Sequence, residues 1–123
     1  MSTIKVDTIK DTNNVEVYTA KAWVNFNSTG TVAIRESGNV SSITDNGTGD
    51  YTLNFTNAIS DTNYAVMGII GNASGLSFGA AATTSPTAFS YSTSSVRVRT
   101  SYSGTSGLMT ANDYDTVCFS VFR

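Results

Sequence analysis

Apolar and polar residues alternate with a period of two along most of the chain, in short runs broken by Gly, Asn, Asp and Ser. That period puts successive side chains on opposite faces of an extended strand. It predicts strands over 22–26, 31–35, 39–43, 51–55, 95–101 and 116–122, with weaker ones over 76–82 and 89–91. The run 64–70 is almost wholly apolar and reads as a strand buried on both faces. In 95–101, Val96 and Val98 oppose Arg97 and Arg99. In 116–122, Val117, Phe119 and Val121 oppose Cys118, Ser120 and Phe122. Between two of the strands, Asn46-Gly47 marks a hairpin, because a tight turn needs residues that tolerate positive φ. No amphipathic stretch is long enough to predict a helix of more than ten residues.

Eight or nine short strands with these turn signals predict an all-β fold: an antiparallel β-sandwich or jelly-roll-like domain. Residues 1–20 stand apart. Their alternation is short, and a turn at 11–14 interrupts it. They read as an extended N-terminal arm or a small hairpin outside the main core, with Ile4, Val6 and Ile9 as its apolar contacts. Residues 21–123 form the sandwich domain. At 123 residues the chain has the size of one domain.

Composition narrows the chemistry. There is no His, a single Cys (Cys118) and a single Pro, while Ser, Thr and Asn make up more than a third of the residues. Without His, neither a Ser-His-Asp triad nor a His-ligated zinc is available. One Cys makes no internal disulfide and is expected to stay reduced. A net charge of −2 argues against nucleic acid, whose phosphates require a basic surface. No apolar run approaches the ~20 residues that span a bilayer, so no membrane insertion is expected. Charges interrupt the N-terminus before a signal peptide can form, which points to synthesis in a cytoplasm.

The carboxylates are the remaining acid–base groups. Asp11, Asp45, Asp50, Asp61 and Asp113 sit in turn signals and are read as turn chemistry. The segment 45–50 fails as a calcium loop, since Gly47 and Gly49 stand where ligands would be needed. Gly68, Gly71, Gly75 and Gly79 do not make a phosphate cradle. Five Asn-x-Ser/Thr sequons follow from the composition alone. No catalytic residue, metal site or cofactor is assigned, and no enzyme activity is expected. Candidate binding contacts are Arg97 and Arg99, a cationic pair on one strand face that could hold an anionic sugar or a partner's carboxylate, together with Tyr91 and Tyr102. The alternative for the arginines is an edge strand protected by charge. For Phe89, Tyr91 and Tyr102 an adaptable binding surface and core packing read equally well. Trp23 reads as core.

The blocks 22–35 and 39–55, with Asn63-Tyr64-Ala65-Val66 and the ending 117–122, resemble a small terminal β-domain of tail fibre proteins of tailed bacteriophages, especially phages of marine bacteria and cyanobacteria. Residues 2–9 resemble the arm that precedes this domain. Gly38 stands where an aromatic is common. The resemblance implies a virion protein assembled in the host cytoplasm: a tail fibre or fibre-tip adhesin that contributes to host-surface recognition. Its expected partners are two further copies in a homotrimer, other virion proteins through the arm, and a host surface glycan or protein. The alternative is a head decoration or tail-assembly protein with no receptor role, motivated by a chain that starts at Met1 without a shaft. A polysaccharide depolymerase is the third reading, motivated only by the carboxylates.

Overall fold

The computed structural model describes residues 1–71, 79–83, 91–103 and 109–123. The described residues hold nine strands: β1 (Ala20–Asn27), β2 (Ala33–Gly38), β3 (Val40–Gly47), β4 (Asp50–Phe55), β5 (Ala65–Gly71), β6 (Gly79–Thr83), β7 (Ser95–Ser103), β8 (Met109–Ala111) and β9 (Thr116–Phe122). They form two antiparallel sheets. One has the order β2-β1-β9-β5; the other has the order β3-β4-β7-β6, with β8 also paired to β7. The expected all-β, two-sheet architecture is present.

Period-two alternation builds the core. Ala22, Val24 and Phe26 of β1 and Val117, Phe119 and Val121 of β9 are buried from one sheet. Tyr51, Leu53 and Phe55 of β4 and Val96 and Val98 of β7 are buried from the other. Phe26 meets Tyr51 edge to face, ring centroids 5.3 Å apart. Val40 and Ile43 break the period on β3 yet both reach the core. A register shift between Val40 and Ser42 supplies the extra residue that permits it. The chain passes from one sheet to the other at Asn39, whose φ is 56°. The Asn39 side chain holds that corner, donating to the carbonyls of Lys21 and Asn57 and accepting from the Asn57 N–H.

A polar cluster at one end of the core joins the β3–β4 turn to the segment before β9. The Gly49 N–H donates to Asp113 Oδ1 at 2.8 Å, and the Tyr51 hydroxyl donates to the same oxygen. Thr100, fully buried, donates through Oγ1 to the Asn112 carbonyl at 2.6 Å. Buried Ser28 donates to the Tyr114 carbonyl and accepts from the Tyr114 N–H, both at 2.8 Å. Burial pushes the Tyr51 phenol up to about 12, and the Asp113 hydrogen bond adds to that shift. Burial also raises Tyr64 to about 12.

Several expectations need correction. β5 is not buried on both faces. It ends the order of its sheet, where among the described residues it pairs with β9, and Met67 and Ile69 are 60% and 69% exposed. Trp23 is not core: it is 41% exposed, because Ala22, Val24 and Phe26 take the inward phase of β1. The hairpin tip falls on Thr48-Gly49, two residues past Asn46-Gly47, and the positive φ values belong to Gly47 (128°) and Gly49 (62°). β2 lies a few residues later than expected. β8 carries no signal that alternation would detect. Of the weak strand 89–91, Tyr91 forms only an isolated bridge to Val96, while 89–90 lie outside the described residues, as do 76–78 of the strand expected over 76–82.

Residues 1–19 are all exposed and belong to neither sheet. A bridge between Lys10 and Glu16 closes the small turn expected there. Asp11 Oδ1 caps it, accepting from the Asn13 and Val15 N–H groups.

Candidate binding surface

The outward face of the β2-β1-β9-β5 sheet is built by the residues out of phase with the core. Register places Gly38, Trp23, Ser120 and Met67 side by side across the four strands, and Glu36, Asn25, Cys118 and Ile69 in the next row. The Trp23 indole occupies the space above Gly38. A methyl group added there would lie 2.3 Å from Nε1 and 2.8 Å from Cδ1. The glycine thus leaves room for the ring against the sheet. Polar groups flank it. Arg35 donates to Asn25 Oδ1 at 3.2 Å and to the Asp115 carbonyl. The β5 end of the face is apolar, with Met67, Ile69 and half-buried Cys118 around a shallow depression of about 200 Å³.

The residues singled out from the sequence fall elsewhere. Arg97 and Arg99 are together, both on Asp50. Arg97 makes a two-pronged ion pair (2.7 and 2.8 Å), and Arg99 Nη2 lies 3.3 Å from Oδ2. Register explains it, since β4 sets Asp50 opposite Arg99 and Thr52 opposite Arg97. β7 runs between β4 and β6, so its arginines do not protect an edge. Tyr91 packs on Tyr64, centroids 4.9 Å apart, near Val96 at the start of β7. Tyr102 lies six residues further along that strand, roughly 20 Å away. The four residues therefore do not converge on one place. Ile4, Val6 and Ile9 are exposed on the N-terminal segment.

The carboxylates are engaged locally. Asp45 and Asp61 each accept from the N–H two residues on, as expected of turns. Asp61 also pairs with Arg123, which with that backbone bond holds its carboxyl down at about 2. Asp50 and Asp113 do more than shape turns, one joining β4 to β7 and the other capping the polar cluster. Among the described residues no group of three or more His, Cys, Asp and Glu side chains is placed to hold a metal.

The Arg97 guanidinium beside Asp50 holds that carboxyl below its ordinary value, with a smaller contribution from Arg99. A depressed carboxyl stabilises the fold above its unfolded pKa, near 3.9, and loses that contribution as pH falls through the folded value. Urea titrations at pH 6 and then in steps below pH 4 are expected to show falling stability. Asp50→Asn should be less stable at pH 6 and lose part of the acid dependence. The tyrosines act at the other end. Their contribution is full below about pH 10 and falls away as pH rises through about 12.

Sequence reasoning missed the Trp23 face, although the signal was present. Trp23 is out of phase with Ala22, Val24 and Phe26, and three inward residues outweigh one large side chain in setting a strand's register. No family model, curated protein or solved structure matches the chain.

Proposed function

We propose that this protein is a virion adhesin of a tailed bacteriophage, a tail fibre or fibre-tip protein that binds a glycan on the host surface. In this reading residues 21–123 are a jelly-roll-like sandwich, and residues 1–20 are an arm that attaches it to further copies or other virion proteins. The observation that carries the reading is Trp23, a large rigid ring held outward on a sheet rather than buried. A ring of this kind offers the C–H face of a sugar a flat contact at little entropic cost. Asn25, Arg35 and Ser120 beside it supply short hydrogen-bonding groups for hydroxyls. The resemblance of 22–35 and 39–55 to terminal domains of tail fibres supports the phage context. Repetition of the site in a multimer would turn weak single contacts into durable attachment.

Binding of the labelled protein to a glycan array tests the reading. The expected result is binding to a defined set of surface polysaccharides, lost in Trp23→Ala. Equal signal from the wild type and Trp23→Ala would remove Trp23 from the contact.

A further inference from the structure

A polar recess lies where β1 begins and β9 ends, with Lys21, Asn39, Asn57, Ile59, Ser60 and Arg123 in its lining. Its volume is about 470 Å³, more than twice that of the depression beside Ile69. Small-molecule sites usually measure about 300–1,000 Å³. The register of β1 on β9 shifts between Ala20 and Ala22, so Lys21 is the extra residue of a bulge and stands exposed. A bulge re-aims the side chain it carries. The Lys21 carbonyl accepts from the Asn39 amide, which also holds the Asn57 backbone. Ile59 is buried and its N–H donates to the Thr93 carbonyl. The walls of the recess are therefore tied to the fold.

The polar groups on those walls are largely unused. The Asp61 carboxylate grips Arg123 through Nε and Nη2, at 2.8 and 2.7 Å. This fixes the plane of the guanidinium and offsets its charge, while Nη1 has no acceptor among the described residues. The Lys21 ammonium, the Asn57 side-chain amide and the Ser60 hydroxyl likewise make no hydrogen bond or ion pair among the described residues. Asp7 and Glu16 border an adjoining groove that shares Lys21 and Arg123, yet neither forms an ion pair with Lys21. The recess thus presents one unneutralised cation, a free guanidinium nitrogen, two neutral hydrogen-bonding groups and the apolar side of Ile59.

We propose that this recess binds a carboxylate-bearing sugar, a uronic acid unit of the glycan. Lys21 and Arg123 Nη1 take the carboxylate through charge-assisted hydrogen bonds, the stronger kind. Asn57 and Ser60 take ring hydroxyls, and Ile59 meets the C–H surface of the ring. The recess is a site apart from the indole, but a near one. Lys21 precedes Trp23 by two residues on β1, and Asn39 follows Gly38, over which the indole lies. The inference rests on the reading of this protein as a glycan binder and adds that the glycan is acidic.

Amide NMR titration of the full chain with sodium glucuronate tests it, beside glucose and sodium acetate at the same concentrations and sodium chloride at matched ionic strength. Glucuronate is expected to give saturable shifts at residues 21, 39, 57–60 and 123, acetate weaker ones and glucose none. Lys21→Gln, an exposed change that keeps every backbone bond, should weaken glucuronate binding about tenfold or more, the loss of one charge-assisted hydrogen bond. Ser60→Ala should weaken glucuronate but not acetate, and it serves as the second variant should Lys21→Gln unfold. No saturable shift with glucuronate, equal affinity in Lys21→Gln, or acetate binding as tightly as glucuronate would each overturn the proposal. The indole N–H of Trp23, the single Trp, is read in the same spectra. Shifts there with a silent recess would overturn the acidic-sugar site and leave the Trp23 reading standing.

Discussion

Gly49→Ala is expected to destabilise the fold by about 3–5 kcal/mol, among the largest effects available to a single methyl group. Two penalties combine. Gly49 has a φ of 62°, a left-handed conformation that costs a residue with a Cβ roughly 1–2 kcal/mol. The added carbon would also lie 2.4 Å from the Thr100 carbonyl oxygen and 2.7 Å from the Asn112 nitrogen. Those are backbone atoms, and no side chain can swing aside to relieve the contact. The Gly49 carbonyl accepts from the Thr100 N–H, and the Thr100 carbonyl accepts from the Asn112 N–H. Separating them leaves buried polar groups unpaired, at about 1–3 kcal/mol each. Urea denaturation measures the change directly. Gly47→Ala is the informative comparison. Its φ of 128° is also unfavourable, but nothing lies within 4 Å of the added carbon, so its cost should be smaller.

Phe26→Ala is expected to cost about 3–5 kcal/mol, the range for removing a fully buried ring. Phe26 is completely buried and packs edge to face on Tyr51 across the two sheets, so truncation opens a cavity at the centre of the core. Trp23→Ala, three residues earlier on the same strand, removes a larger side chain. It is expected to cost no more than about 1 kcal/mol, because the ring faces outward over Gly38. The contrast tests the phase of β1. A Trp23→Ala variant as unstable as Phe26→Ala would place the indole in the core.

Alternation legible in the sequence accounts for most of the core. Ala22, Val24 and Phe26, then Tyr51, Leu53 and Phe55, then Val117, Phe119 and Val121 are each an unbroken period-two set. A side chain two residues from a buried one in an unbroken strand has little choice of face. The apolar run at 64–70 was misleading for a physical reason. Apolar composition reports that a strand can be buried, whereas its place at the edge or centre of a sheet depends on which strands arrive beside it. Trp23 was misread because hydrophobicity was weighed above phase.

The polar partnerships were less legible. Asp50 reaches Arg97 across 47 positions, and Tyr51 reaches Asp113 across 62. Both pairings are products of strand register, which local pattern does not specify. The arginines therefore looked like open cations, and Asp113 looked like an ordinary turn residue. The turn at residues 11–14 was readable because Asp11 bonds to N–H groups only two and four positions on.

Adsorption of the fluorescently labelled protein to a panel of marine bacteria and cyanobacteria tests the adhesin account most directly, with Trp23→Ala measured beside the wild type. The account predicts saturable binding to particular strains, competed by their purified surface polysaccharide and lost in a Trp23→Ala protein whose urea midpoint stays within about 1 kcal/mol of the wild type. Absence of saturable binding across the panel, or equal binding by the two proteins, would contradict it.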